Sequence, residues 1–151
     1  MQHGSLFVER TIDRDFNAAE AYLRGDSIMR RTLDDLEHAE TVTFVVGNHH
    51  SDDHFDFENH AVTWDAHSAL RTTNGGVQSP ALGLGHELVH ANEAFDKREC
   101  LAATFDAAYD NKEERRVIVG AETHAAHTLG EGTRHDHTGQ VFTVDSPTAL
   151  A

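Results

Sequence analysis

The sequence predicts a single domain in which helices are joined to a few short strands. Three observations predict it. Apolar residues recur at helical spacing through residues 11–40, β-branched runs follow at 41–47 and 61–65, and a long apolar helical stretch begins at Ser79. A chain of 151 residues fits one domain, and no internal repeat or linker divides it, so the domain is read as 1–151.

Taken in order, Ile12, Phe16, Ala19, Tyr22 and Leu23 share one face of a first helix that ends at Gly25. Asp26 or Ser27 caps a second helix running to Glu40, with Ile28, Met29, Leu33 and Leu36 facing inward. The stretch from Thr41 to Gly47 is β-branched and aromatic and reads as a strand. Asn48 to His54 is rich in His and Asp. Consecutive residues rarely converge on one ion, so it is read as a polar loop rather than a second metal site. Ala61 to Asp65 is another strand, and Thr72 to Gln78, with Gly75-Gly76, is the loop entering the central helix. Ala94 to Asp110 is predicted helical, with Phe95, Leu101, Phe105 and Tyr109 as its apolar residues. Lys112 to Gly130 is a further helix in which Gly120 marks a kink or a break. A His-rich loop from Thr133 to Gly139 leads to a short last strand, Gln140 to Val144.

Charge narrows the partners. Twelve Lys and Arg stand against 26 Asp and Glu, a formal charge of −14. That argues against nucleic acid, which needs a basic surface, and against anionic membranes. It suits a solvated surface or a basic partner or substrate segment. The single cysteine, Cys100, allows no intrachain disulfide and is read as a small buried side chain. No apolar run approaches the roughly 20 residues of a membrane span. Residues 1–5 carry no signal-peptide pattern.

The chemistry lies in Gly85-His86-Glu87-Leu88-Val89-His90-Ala91-Asn92. His86 and His90, four residues apart, project from one helix face, one turn apart. Both imidazoles can reach one zinc ion, and Glu87 lies beside it as the base that takes a proton from water. Ser79 and Pro80 suit the start of this helix, and Ala81, Leu82, Leu84, Leu88, Val89 and Ala91 make it apolar enough to be buried. A catalytic zinc needs a third ligand from another element. Glu114, 24 residues beyond His90 and in register with Val117 and Ile118, is the first choice. Glu122, Glu113, His124 and His127 are the alternatives, Glu113 being expected to face solvent so that its removal does little.

The stretch from Ser79 to Ala91 resembles the H-E-L-x-H-A core of the NleD-type effector metalloproteases, zinc peptidases of type III effectors and related bacterial toxin domains. Further resemblances are Trp64-Asp65 before the zinc helix, the acidic pair Glu113-Glu114 opening the next helix, and the Glu122 helix running into Leu129-Gly130 and Arg134. The resemblance covers residues 41–147 and leaves the first forty outside. Where the family tends to show Tyr after the Arg, this chain has His135-Asp136-His137, so the transition-state donor is left open among Arg134, His135 and His137.

The resemblance implies a zincin-like α+β fold, a small sheet packed on helices around the HExxH helix. It implies a zinc-dependent endopeptidase, a secreted virulence effector or toxin that acts in the cytoplasm of a host or target cell. Its substrate would be a protein, with host signalling proteins as one class. Two other readings are a non-catalytic module with a closed, four-ligand zinc site, and an effector domain that binds a host protein and carries a vestigial motif.

Overall fold

The computed structural model describes residues 2–49, 52–92 and 95–151, of residues 95–97 the backbone alone. The chain has a mixed α+β architecture. Strands β1 (Gln2–His3) and β2 (Leu6–Val8) precede helices α1 (Asp13–Leu23) and α2 (Ser27–Glu37). Then come β3 (Thr43–Gly47), β4 (His54–Asp56) and β5 (Ala61–Trp64). These strands form a five-stranded sheet in the order β1-β2-β3-β5-β4. The pairs β2/β3 and β3/β5 are parallel, and β4 returns antiparallel at the edge. Leu6, Val8, Val45, Val62 and Trp64 point from this sheet into a core shared with Phe16, Leu23, Met29, Leu33 and Leu36 of α1 and α2. The opposite sheet face leaves Phe7 and Phe44 half exposed.

A second sheet holds β6 (Ser68–Arg71), β7 (Val77–Gln78) and β10 (Gln140–Thr143), in the order β10-β6-β7. Between the sheets runs α3 (Pro80–Asn92), almost wholly buried. After α3 come α4 (Phe95–Ala102), a hairpin of β8 (Phe105–Asp106) and β9 (Asp110–Asn111), α5 (Lys112–Val117), a π-helical turn at Ile118–Glu122, and α6 (Thr123–Leu129). No helix of the described residues is long and apolar enough to cross a membrane.

The first two helices follow the predicted pattern, with Asp26 rather than Ser27 as the cap of α2, accepting from the N–H groups of Ile28 and Met29. The helix predicted through Asp110 stops at Ala102 instead. Phe105 is 79% exposed, and Leu101 and Tyr109 are only partly buried, so the apolar residues there never find a common face to bury. The hairpin that replaces it puts Asp110 in the left-handed region at φ 69°, a conformation Asp tolerates better than most residues. Cys100, expected to be buried, is exposed on α4. His50, Ser51 and Ala94, and the side chain of Phe95, all part of predicted elements, lie outside the described residues.

Two tethers fix α3. Ser79 caps it through Leu82 N–H, and Glu131 accepts from the backbone N–H and the hydroxyl of Ser79. At the C-terminal end, the buried Arg98 donates to the carbonyls of His90 and Ala91 in the last turn. Trp64 links sheet to helix, its indole N–H donating to Pro80 O at 2.8 Å in a fully buried position. Trp64→Phe removes that buried hydrogen bond, and we expect a loss of about 1 kcal/mol in chemical denaturation. An unchanged midpoint would show that the contact carries no stability.

Candidate metal and catalytic site

The burial that packs α3 also sets the direction of its polar side chains. His86, Glu87 and His90 are all buried. The Nε2 atoms of His86 and His90 stand 3.0 Å apart, their rings edge to face. Facing them from the first turn of α5 is Glu114, with Oε2 2.7 Å from His86 Nε2 and Oε1 3.2 Å from His90 Nε2. Asn111 caps this turn by accepting from Glu114 N–H, which fixes where the carboxylate starts. Glu87 Oε1 lies 3.8 Å from His86 Nε2. Among the described residues, ligand atoms of His86, Glu87 and His90, and of His86, Glu114 and His137, fall within 4.8 Å of one another.

The other ring nitrogens decide what the Nε2 atoms present. His86 Nδ1 lies 2.8 Å from Glu122 Oε1, closer than the 3.3 Å to Arg134 Nη2, so its proton goes to the carboxylate. His90 Nδ1 lies 2.7 Å from Glu113 Oε2. With both Nδ1 atoms donating, both Nε2 lone pairs are turned toward the Glu114 carboxylate. With both imidazoles neutral, three acceptors would meet in a largely buried space with no proton among them. Donors about 2.0–2.1 Å from a tetrahedral ion stand about 3.3 Å apart, close to the separations here. The donor set therefore fits a divalent metal.

Charge balance agrees. Arg116 neutralises Glu113, and Arg134 grips both oxygens of Glu122. Glu87, buried, and Glu114, partly buried, are left as two carboxylates that a divalent cation would balance beside neutral imidazoles. Lacking one, the imidazoles must draw protons. Burial works against a charged His86, but hydrogen bonds to Glu114 and Glu122 outweigh it and lift its pKa to about 10. His90 is raised in the same way through Glu113 and Glu114. Glu122 is held down to about 2, its burial overcome by His86 and Arg134. Glu87 is pushed up, by burial first.

The sequence expectations fare unevenly. His86, Glu87, His90 and Glu114 are brought together as expected. Glu113 corrects the expectation of a solvent-facing side chain: it is 1% exposed, because α5 meets α3 through its first turn and adjacent positions straddle the two imidazoles. Glu122, the alternative ligand, sits behind His86 rather than before it. An unbroken helix would turn it about 80° from Glu114. The π turn inserts one residue, roughly 100° of rotation, and so returns it to the same face. The break signalled by Gly120 is this turn. His124 Nδ1 lies 2.6 Å from Asp26 Oδ1 instead, and both His124 and His127 are exposed.

Arg134 and His137 line the cavity over the site, a space of about 610 Å³ that also reaches Glu87. His137 Nε2 is 3.2 Å from Glu114 Oε2, and its Nδ1 is 2.5 Å from Asp110 Oδ2. His135 is exposed and is not part of that lining. Sequence reasoning missed Asp110, whose role depends on an unforeseen hairpin, and the pairing role of Glu113, whose helix-opening position reads equally well as a dipole contact. Compared with protein-family models, with curated proteins and with solved structures, the chain gives no match.

A pH dependence follows. The depressed Glu122 carboxylate contributes stability above its unfolded pKa near 4.5, lost as pH falls toward about 2. The raised His86 contributes below its unfolded 6.5, lost as pH rises toward about 10. In chelator the melting temperature should therefore fall on both sides of roughly pH 4.5–6.5. A melting temperature still rising from pH 6.5 to 9 in chelator would contradict these pairs.

Proposed function

We propose that this domain is a zinc-dependent endopeptidase with a zincin-like fold. The observation that carries the reading is the convergence of His86 Nε2, His90 Nε2 and the Glu114 carboxylate, each imidazole held from behind by its own carboxylate. His86, His90 and Glu114 would hold the ion. Zinc bound there supplies a water of pKa near 7 and a Lewis acid for the scissile carbonyl.

The chain's own residues do the rest. Glu87, buried beside the triad, takes one proton from the attacking water as its oxygen bonds to the carbonyl carbon. The same carboxyl returns that proton to the nitrogen as the C–N bond breaks, and the second water proton passes from the new carboxylic acid to the amine, leaving a carboxylate and an ammonium. Burial raises the pKa of Glu87, which makes it a stronger base than an exposed carboxylate. Arg134 and His137, at the cavity wall, are the donors available to the developing oxyanion, with His137 oriented by Asp110. His135, being exposed, is dropped from this role. The resemblance to NleD-type proteases supports a secreted effector or toxin that cleaves a protein in a host or target-cell cytoplasm.

A second reading has one observation in its favour. His137 joins His86 and Glu114 in a group with metal-ligand spacing. It could supply a fourth ligand and close the site into a structural one.

Elemental analysis should find one zinc per chain, absent from His86→Ala and His90→Ala. Glu87→Gln should keep zinc and lose about 10²–10⁴-fold in peptide hydrolysis. Wild-type turnover by that variant would remove Glu87 from the mechanism. Zinc retained in full by both histidine variants would remove the site. Glu113→Gln and Glu122→Gln should each weaken zinc about 10–100-fold in chelator competition. Unaltered affinity in both would leave these carboxylates with packing roles alone.

A further inference from the structure

The cleft has two parts. The larger cavity reaches Glu87, His86 and Arg134, and a smaller one of about 250 Å³ reaches His90, Glu113 and Glu114. Asp52, Asp53 and His137 line both, so they stand where the two meet. Asp53 is held there by design of the backbone. Its Oδ1 accepts the Asp65 N–H at 2.8 Å. Its Oδ2 lies over Gly83, where a Cβ would come within 2.8 Å of it, so a side chain at 83 would displace the carboxyl. Gly83 is one helical turn ahead of Glu87, which sets Asp53 beside the proposed base.

Among the described residues, the charges facing Asp53 are of its own sign or already engaged; His137, which lines both parts with it, is held by Glu114 and Asp110. Glu87 and Asp65 carry its own sign, and His86 is committed to two carboxylates. Arg134, the arginine of the larger cavity, is bound to Glu122. Burial above all, then Glu87 and Asp65, lifts Asp53 to about 8 against the pull of its backbone hydrogen bond. A carboxyl fixed in a substrate cleft, whose described neighbours are like-charged or already engaged, is complementary to an incoming cation. The formal charge of −14 draws cationic segments toward it.

Building on the endopeptidase reading, we propose that Asp53 determines specificity and that the preferred substrate carries Lys or Arg beside the scissile bond. The ammonium or guanidinium supplies Asp53 with a countercharge.

The test uses the zinc-loaded full chain on a proteome-derived peptide library, with new termini mapped with and without chelator. Lys and Arg should be enriched at one flanking position. Matched peptides carrying Lys or norleucine there should differ about tenfold or more in kcat/KM, and Asp53→Asn should bring the ratio toward unity. Asp53→Lys should turn the preference toward Glu. Chelator-sensitive cleavage indifferent to positive charge overturns this proposal and leaves the protease standing. A Lys preference that survives in Asp53→Asn overturns the assignment to Asp53. If Asp53→Asn does not fold, the wild-type library and the charge-reversed variant still decide. Absence of any chelator-sensitive cleavage overturns the endopeptidase reading itself.

Discussion

Everything around α3 depends on one constraint: buried acceptors must not face one another uncompensated. Two imidazole lone pairs and a carboxylate meet within about hydrogen-bonding distance at the heart of the chain. The surrounding residues read as the answer to that problem. Glu113 and Glu122 fix the tautomers from behind, and Arg116 and Arg134 neutralise those two glutamates in turn. What remains, Glu87 and Glu114 before two imidazoles, is the donor set on which the proposed zinc site rests. The outer pairs matter because an imidazole free to rotate or change tautomer would lose the alignment that brings the lone pairs together.

The fold serves that alignment by immobilising α3 along its whole length. Its first turn is tied to the second sheet side through Ser79 and Glu131, its middle packs on the apolar faces of α1, α2 and the five-stranded sheet, and its last carbonyls are taken by Arg98. Gly85 adds to this, since the close approach of Met29 and Leu23 leaves little room for a side chain there. A helix held at both ends and along one side places His86 and His90 without needing the site itself to do so.

Local patterns were legible in the sequence and long-range ones were not. Spacing alone placed His86, Glu87 and His90 on one face, and Glu114 followed from its register with Val117 and Ile118. The apolar periods of α1 and α2 were equally plain. The sheet was half visible: β3 and β5 carry β-branched runs, while β1, β4 and β7 are too short to show a period. Glu113 and Glu122 were misread for a shared reason. Helical arithmetic assumes a regular helix lying alongside its neighbour. Here the helix meets the imidazoles of α3 through its first turn, at Glu113 and Glu114, and takes in an extra residue at 118–122. The Ala94–Asp110 prediction failed because alanines and aromatics scattered at helical spacing do not by themselves provide a surface to cover.

The approach of α5 to α3 has a consequence for the unfolded chain as well. An ion gripped by His90 and Glu114 ties together residues 24 apart, closing a loop much as a disulfide would. In the chain-entropy account, a covalent closure of that length removes about 3–4 kcal/mol of freedom from the denatured ensemble. This chain, with its single cysteine, has no disulfide of its own to do this. Its one staple would be made of imidazole and carboxylate, and it would open to acid and chelators rather than to reductants.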